Sequence, residues 1–538
     1  MRKQRTVLLI VLLLQMLSVN TAAKVSVTVN PYFASDFYPP GWLPLRVEIN
    51  NEQEQPFFWT LELIVEDHNK LRGKPKFTHY HFEVELARLT KKKFTTVIYN
   101  QNSTIKLNLT ENHSDNESIF SARYQYPTTL QNLMQERVLI ISDMLNILDN
   151  IEPKYQPYYS TPKVLPDHWL AYLNFNAIVL DNVRHSSINQ AQLDALHKVA
   201  PSGILDSQSR FTQEFVELNT STMIHFEEAI DFLAEDMLAS MLFNTPHGIV
   251  IVGVVLLTYG GGILFIYRLV EKEKSVFLLL CLVLLFTTAF STGLYLVLGK
   301  KLARDNRFLL NVGIVQKKPQ SSTGYVEHYL TCVGGGNKDI NLIFPRNVGN
   351  FTNLSSTAKG EFPDRIDLFL SEEEITVQMK AKGNWTVSGF RGATTLELPI
   401  TIRDIAIHSE TISFYLENQS DYRIEKALLY FGGLWYQLDI NSGKLFFSKN
   451  TATQINLQRA LEGALLPSVG RRLTREKAQQ SLIDRILVNL ALLRGELVTV
   501  DNEPLLLLAF QGPGLVNEIK SNVSLTYQFL GFWMVPLR

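Results

Sequence analysis

Two histidines two positions apart are the clearest candidates for metal ligation in this chain. His79 and His81 lie in a segment that alternates apolar and polar residues. Because side chains two apart in a β-strand share one face, this spacing places both imidazoles on the same side of a strand. Imidazole nitrogens are common ligands of Zn²⁺ and other first-row metals. No third ligand is evident nearby in the sequence, so the pattern also suits two exposed strand histidines without a metal.

A second group of candidate residues is acidic. Asp143, Asp181 and Asp206 each follow a short apolar segment. If those segments are parallel strands, the aspartates lie at one rim of the sheet, where α/β proteins tend to bind ligands. Asp143 and Asp181, together with His185, are therefore the candidate catalytic residues of a hydrolase. The alternative is that the acids only cap the loops or helices that follow.

Several other chemistries lack the residues that they need. No cysteine lies between residues 24 and 280, so a thiolate nucleophile is excluded there. The chain has no Gly-x-Ser-x-Gly and no His-Glu-x-x-His pattern. Its 51 basic residues balance 52 acidic ones, which gives no overall attraction to nucleic acid. We expect no cofactor and no nucleic-acid partner.

The first 23 residues resemble a signal peptide. Three basic residues (Arg2, Lys3 and Arg5) precede an apolar core over 7–17, and small residues lead to Lys24. An uncleaved anchor is the alternative. In both cases we expect the segment that follows to be exported.

The polar and apolar patterning then changes along the chain. Short alternating segments predict a β-sandwich over 24–128. Over 129–245, apolar segments that flank an amphipathic stretch at 189–199 predict a parallel α/β domain. Alternation returns over 301–538, which predicts a β-rich region with a helix near 474–494. Gly432-Gly433 predicts a hairpin turn in that region.

Two uncharged stretches occupy the middle of the chain. Residues 248–267 and 276–298 each reach the ~20 residues that a helix needs to cross a bilayer. They predict a two-helix transmembrane hairpin over 246–300, with buried core helices as the alternative. Acidic residues before the first stretch and the basic loop 268–275 favour an external N-terminal region. The basic residues after the second stretch oppose that orientation for the C-terminal region.

The order of these parts resembles a group of uncharacterised bacterial membrane proteins. The group combines a signal peptide, an immunoglobulin-like sandwich, a class I glutamine-amidotransferase-like domain, a membrane hairpin and a C-terminal β region. The resemblance implies that the α/β domain over 129–245 is of the amidotransferase or flavodoxin-like kind and has lost its nucleophile, because the required cysteine is missing here. The segments that resemble the group are 38–47, 165–169 ahead of 175–181, 192–196, 418–433 and 435–438.

Together these patterns predict a multidomain α+β membrane protein of a bacterial envelope. Its expected location is the inner membrane, with both large soluble regions outside the cytoplasm. The predicted function is non-enzymatic: the exported domains bind or organise other envelope components. The alternatives are an extracytoplasmic hydrolase acting at the α/β rim and an accessory subunit of a transport or secretion complex.

Overall fold

The structure is a computed structural model that describes the larger part of the chain. The described residues are 25–33, 41–67, 76–100, 104–111, 118–125, 136–143, 155–199 without 176 and 182, 214–217, 248–271, 276–305, 308–317, 323–336, 339–345, 349–353, 365–380 without 372, 383–439 without 420, 443–449, 452–456, parts of 480–491, 504–514, and 519–537 without 524.

Strands dominate these residues; three α-helices with described bounds and further helical residues within 480–491 accompany them. The strands are β1 Val25–Pro31, β2 Gly41–Asn51, β3 Phe57–Asp67, β4 Lys76–Leu86, β5 Lys91–Asn100, β6 Thr104–Glu111, β7 Ser118–Gln125, β8 Glu136–Ser142, β9 Tyr155–Ser160, β10 Ala177–Asp181, β11 Glu214–Glu217, β12 Phe308–Gln316, β13 Thr323–Gly336, β14 Ile340–Pro345, β15 Gly349–Asn353, β16 Arg365–Leu370, β17 Glu374–Met379, β18 Gly383–Glu397, β19 Ile400–Ile407, β20 Thr411–Asn418, β21 Arg423–Phe431, β22 Leu434–Leu438, β23 Gly443–Ser448, β24 Gln454–Ile455, β25 Leu505–Gly512, β26 Lys520–Ser521 and β27 Thr526–Pro536. The helices are α1 Gln190–Val199, α2 Gly248–Glu271 and α3 Val276–Asp305.

The described strands form five sheets. In the order of neighbouring strands they are β1-β2-β5, β11-β10-β8-β9, β15-β18-β13-β12-β27-β25-β21-β22-β24, β26-β14-β17-β16-β4-β3-β6-β7 and β19-β20-β23. The fold is therefore mostly β, and the predicted class of a multidomain α+β membrane protein is wrong.

The first strands follow the sequence alternation closely. In β2, Leu45, Val47 and Ile49 are fully buried, while the residues between them face outward. Because every second residue is apolar, one side of the β1-β2-β5 sheet faces the eight-stranded sheet. The two sheets share one apolar core. The alternation thus predicted these strands and their buried face correctly.

The eight-stranded sheet combines strands from both ends of the chain. Strand β4 pairs in parallel with β16, in register from Phe77 opposite Arg365 to Phe82 opposite Leu370. On the inner face, Tyr80 and Leu368 are fully buried in the shared core. The region predicted as 24–128 therefore shares a sheet with the region predicted as 301–538.

The nine-stranded sheet is covered on both faces. One face packs on the β19-β20-β23 sheet, and the other packs on helical residues of the 480–491 segment such as Ile486 and Leu490. Strands β21 and β22 are joined by Gly432 and Gly433, whose φ angles of 58° and 82° favour glycine. This turn confirms the predicted hairpin.

A buried ion pair links β13 and β18 of the nine-stranded sheet to β5. The Arg391 guanidinium on β18 donates to the Glu327 carboxylate on β13 and to the Tyr99 hydroxyl on β5. The Arg391 Cζ atom also lies 4.3 Å from the Tyr99 ring centroid. Both charged residues are almost inaccessible. Each charge is therefore neutralised and hydrogen-bonded inside the fold, as a buried charge requires.

The uncharged stretches form α2 and α3, which pack against each other. The Tyr259 and Phe286 rings are stacked at 5.9 Å, and the Tyr259 and Thr287 hydroxyls are 3.1 Å apart. Within the described residues, no helix combines the length and the apolar character needed to cross a bilayer. The predicted transmembrane hairpin is corrected accordingly. A charge-free run specifies an apolar helix, but it does not specify what surrounds that helix.

The region predicted as an amidotransferase-like α/β domain is smaller and simpler in its described part. Strands β8, β9 and β10 are parallel, β11 is antiparallel, and α1 is the one α-helix. Asn189 and Gln192 cap the start of α1 through reciprocal side-chain to backbone bonds of 2.9 Å. These elements do not support an amidotransferase-like domain. Strand-helix patterning predicted the parallel pairs, but it could not identify the family.

Some sequence predictions lie outside the described residues. They are the signal peptide at 1–23, Asp206 with its preceding segment, and the expected ends of the helix near 474–494.

We expect Arg391→Met to lower the free energy of unfolding by about 3–5 kcal/mol, because it leaves the Glu327 carboxylate buried without its cation. Denaturant titration followed by tryptophan fluorescence measures this loss. The double variant Arg391→Met with Glu327→Leu should recover part of the stability. An equal or larger loss in the double variant would contradict this interpretation of the pair.

A second prediction concerns His328, which is fully buried in β13. Its Nδ1 lies 2.9 Å from Asn311 Oδ1, which accepts, so Nε2 accepts from the Thr394 hydroxyl at 2.6 Å. Burial lowers the pKa of His328 from 6.5 to about 3. The unfolded chain therefore binds this proton at a higher pH than the folded chain does.

The contribution of neutral His328 to stability is fully present above pH 6.5 and is lost as the pH falls toward 3. We expect a slope of up to about 1.4 kcal/mol per pH unit, which His328→Gln removes. Urea titrations between pH 7 and pH 4 measure it. His408→Gln, at an exposed position, is the control. An unchanged slope in His328→Gln would exclude this role.

Candidate metal centre

The outer face of the eight-stranded sheet carries a compact polar cluster. In β3, Leu61 and Leu63 point into the core, so Glu62 between them faces outward. In β4, Tyr80 points into the core, and His79 and His81 face outward beside Glu62. The antiparallel register places Glu62 directly opposite His81. Two alternating strands thus bring one carboxylate and two imidazoles together.

The ligand atoms of this cluster converge closely. Glu62 Oε1 lies 2.7 Å from His79 Nδ1 and 4.0 Å from His81 Nε2. One potential ligand atom from each of the three residues lies within 4.8 Å of the others. Ligand atoms around a tetrahedral Zn²⁺ are about 3.3 Å apart, given Zn–N and Zn–O distances near 2.0–2.2 Å. Shifts well below 1.5 Å would therefore complete a three-ligand site.

Neighbouring strands hold the Glu62 carboxylate in place. Asn108 on β6 donates its amide to Glu62 Oε2 at 3.2 Å, and Ser121 on β7 donates to Asn108 Oδ1 at 3.1 Å. Both residues lie in register with Glu62 across the sheet. Such supporting hydrogen bonds orient a ligand, and here they hold Glu62 with its other oxygen, Oε1, against His79.

The opposite flank of the cluster belongs to β16. Asp367 Oδ1 lies 3.2 Å from His81 Nε2, and Arg365 donates to the same oxygen through Nε at 2.8 Å and Nη2 at 2.6 Å. The Arg365 guanidinium also reaches within 4.0 Å of Glu62 Oε1. The Phe369 ring stacks on His81 with a centroid distance of 4.7 Å. The cluster therefore extends over β7, β6, β3, β4 and β16.

Both carboxyl groups are held in the charged form. Burial alone would raise the pKa of Glu62, but hydrogen bonds from His79 and Asn108 offset this and lower it below its usual value. Burial also opposes ionisation of Asp367, yet His81 and Arg365 bring its pKa down to about 2. Ionised carboxylates are the form that ligates metals. The set of two nitrogens and two carboxylate groups suits Zn²⁺ or a related first-row ion better than Ca²⁺ or Mg²⁺, which prefer oxygen ligands alone.

The aspartates predicted at the rim of the α/β sheet do not form a cluster like that of Glu62, His79 and His81 in the described residues. Asp143 Oδ2 accepts from the Arg184 backbone N–H at 2.9 Å, and its Oδ1 accepts from the Ser187 hydroxyl at 3.2 Å. Asp143 therefore caps the short 3-10 turn His185–Ser187. Asp181 Oδ2 accepts from the Ser142 hydroxyl at 3.5 Å. The His185 side chain and Asp206 lie outside what the structure describes, and no described contact joins Asp143 to Asp181.

Sequence reasoning found two of the cluster residues and missed the others. The i, i+2 spacing of His79 and His81 was visible because both lie on one strand. Glu62 was detectable in principle as an outward position of the preceding strand, had the hairpin register been assigned. Asp367 is 286 positions from His81, and no local pattern predicts that pairing.

Comparison with known proteins does not identify a family. No protein-family model matches the chain, and no curated protein matches it. The chain aligns with a β-glucosidase from Listeria innocua in complex with gluconolactone at 9% identity and a TM-score of 0.16. That alignment covers 19% of this chain and 16% of the β-glucosidase, so the chain spans less than a fifth of that protein's length.

Two further solved structures show similarly low scores. Northeast Structural Genomics Consortium target SoR45 aligns at 13% identity with a TM-score of 0.15, covering 24% of this chain and 94% of that one. A Paenibacillus sp. cycloisomaltooligosaccharide glucanotransferase aligns at 9% identity with a TM-score of 0.16, covering 69% and 72%. Likenesses this weak carry no argument about fold or function, and the inferences below depend on the residues of this chain alone.

Proposed function

We propose that this protein is a non-enzymatic, exported binding protein that takes a divalent transition metal on its eight-stranded sheet. The convergence of ligand atoms from Glu62, His79 and His81 within 4.8 Å is the observation that carries the proposal. Two imidazoles and one carboxylate are a common ligand set for Zn²⁺. The described part of the chain contains no other such group of three histidine, cysteine or acidic residues.

The surroundings of the cluster support binding more than hydrolysis. His79 is buried, and the side chains of Glu62 and His81 are only 18% and 16% exposed. A hydrolytic metal site keeps one coordination position open to water and substrate. Here Asp367 Oδ1 lies 3.2 Å from His81 Nε2, and the Phe369 ring stacks on the His81 ring. The cluster therefore offers a metal well-placed ligands and leaves a substrate little room.

The sheet edges support the interaction part of the proposal. Strand β7 ends the eight-stranded sheet in its described part, and Ser121 and Arg123 on that strand are exposed. An edge strand presents backbone groups that can pair with a strand of another protein. We therefore retain the inference that the protein binds or organises other envelope components. The hydrolase at the α/β rim stays a prediction that no described contact favours.

Metal titration of the purified full-length chain tests the proposed site. After removal of metals with a chelator, the chain should bind one Zn²⁺ in competition with a chromophoric chelator. His79→Gln and His81→Gln should each weaken the affinity by about 100-fold or more, since loss of a ligand costs at least as much as loss of a supporting residue. His408→Gln, which alters an exposed histidine far along the chain, should bind as the wild type does.

The contrary results are equally clear. Absence of Zn²⁺ binding by the wild type would exclude the site. Equal affinity in His81→Gln and the wild type would place the metal elsewhere. Far-ultraviolet circular dichroism of each metal-free variant ensures that a weakened affinity reports a lost ligand and not an unfolded sheet.

A further inference from the structure

The residues beside the three-ligand cluster specify what kind of metal site it is. Asp367 is only 2% exposed, and it lies on the strand paired in parallel with the histidine strand, directly opposite His79. Its Oδ1 atom is 3.2 Å from His81 Nε2. This spacing is close to the separation of two ligands on one tetrahedral metal, about 3.3 Å. Asp367 lies outside the group of ligand atoms that are within 4.8 Å of one another, so it becomes a fourth ligand only when its carboxylate moves closer to Glu62 and His79.

The Arg365 guanidinium supplies the positive charge beside the two carboxylates, where a metal ion would bind. It donates twice to Asp367 Oδ1 and approaches Glu62 Oε1 to 4.0 Å, so one positive group serves two carboxylates. The Arg365 side chain is 44% exposed. The long Arg365 side chain can turn outward into solvent, and a metal would then supply the positive charge that the buried Asp367 carboxylate needs. A divalent metal can therefore replace the guanidinium without disturbing the backbone.

We propose that Asp367 completes a closed, four-ligand metal site with Glu62, His79 and His81, and that the metal displaces Arg365. This inference rests on the proposed function and deepens it. A closed site is structural, because no coordination position remains for a substrate. Its ligands come from β3, β4 and β16. The metal would therefore link β16 to β3 and β4 and stabilise the parallel β4–β16 pairing.

The first test measures the Zn²⁺ affinity of matched variants of the full-length chain. Asp367→Asn should weaken binding by about 10- to 100-fold. Arg365→Gln should bind at least as tightly as the wild type, because no cation has to leave. Glu374→Gln is the matched carboxylate control. Glu374 lies on the adjacent β17 and pairs with Lys520 at 3.0 Å, away from the cluster, so its variant should keep wild-type affinity.

The second test uses hydrogen exchange of the wild-type chain with and without Zn²⁺. Peptides that cover 365–370 should exchange more slowly when the metal is bound, together with peptides of β4. This measurement does not depend on whether Asp367→Asn folds.

The outcomes separate this inference from the proposed function. If Asp367→Asn binds Zn²⁺ like the wild type, or 365–370 gains no protection, the fourth ligand is excluded while the three-ligand site stands. If the wild type binds no Zn²⁺, both proposals fail. If His81→Gln and Asp367→Asn lose affinity together and 365–370 is protected, the closed site is supported.

Discussion

The parallel pairing of β4 with β16 is the contact on which the arrangement of the polar cluster depends. The two strands belong to segments almost three hundred residues apart, and bringing them together costs chain entropy that local contacts cannot repay. Burial of apolar side chains on the inner face of the sheet offsets this entropy cost. There Tyr80 and Phe82 on β4 share a core with Leu368 and Leu370 on β16. The outer face then inherits its register. Asp367 reaches the histidines because apolar neighbours on either side of it are buried.

The register that the buried face sets also explains why charged groups lie together on the outer side of the sheet. A strand that buries every second residue must present the alternate ones together, and neighbouring strands in register extend the row. Glu62 and Asp367 are both largely shielded from water, so each requires nearby cations or donors to stay ionised. Their hydrogen bonds from His79, Asn108 and Arg365 meet that requirement. The same requirement creates a set of groups that a metal can use.

Local patterns in the sequence predict elements well here, and they fail where the partner of an element is remote. The alternation around Leu45 and Val47 predicted a strand with one buried face, and Gly432-Gly433 predicted a turn with positive φ. The apolar runs in the middle of the chain predicted helices correctly, but no described helix has the length and apolar character that the predicted transmembrane hairpin requires. Strand-helix patterning predicted the parallel pairing of β8 with β10, whereas the resemblance in the order of the parts implied an amidotransferase-like domain that the described elements do not support. Hydrophobic periodicity reports which face is buried, and it does not report what buries it.

Two arginine–carboxylate pairs of this fold differ in whether a metal ion could replace the arginine. Arg391 and Glu327 are 1% and 5% exposed, and removal of the guanidinium would leave a charge in the interior with no replacement path. Arg365 is 44% exposed beside an Asp367 side chain that is 3% exposed, so its guanidinium can leave while the carboxylate stays in place. Imidazoles flank the second pair, whereas aromatic rings flank the first. Burial therefore keeps the Arg391 guanidinium in place. Partial exposure allows a metal that also binds nitrogen to replace the Arg365 guanidinium.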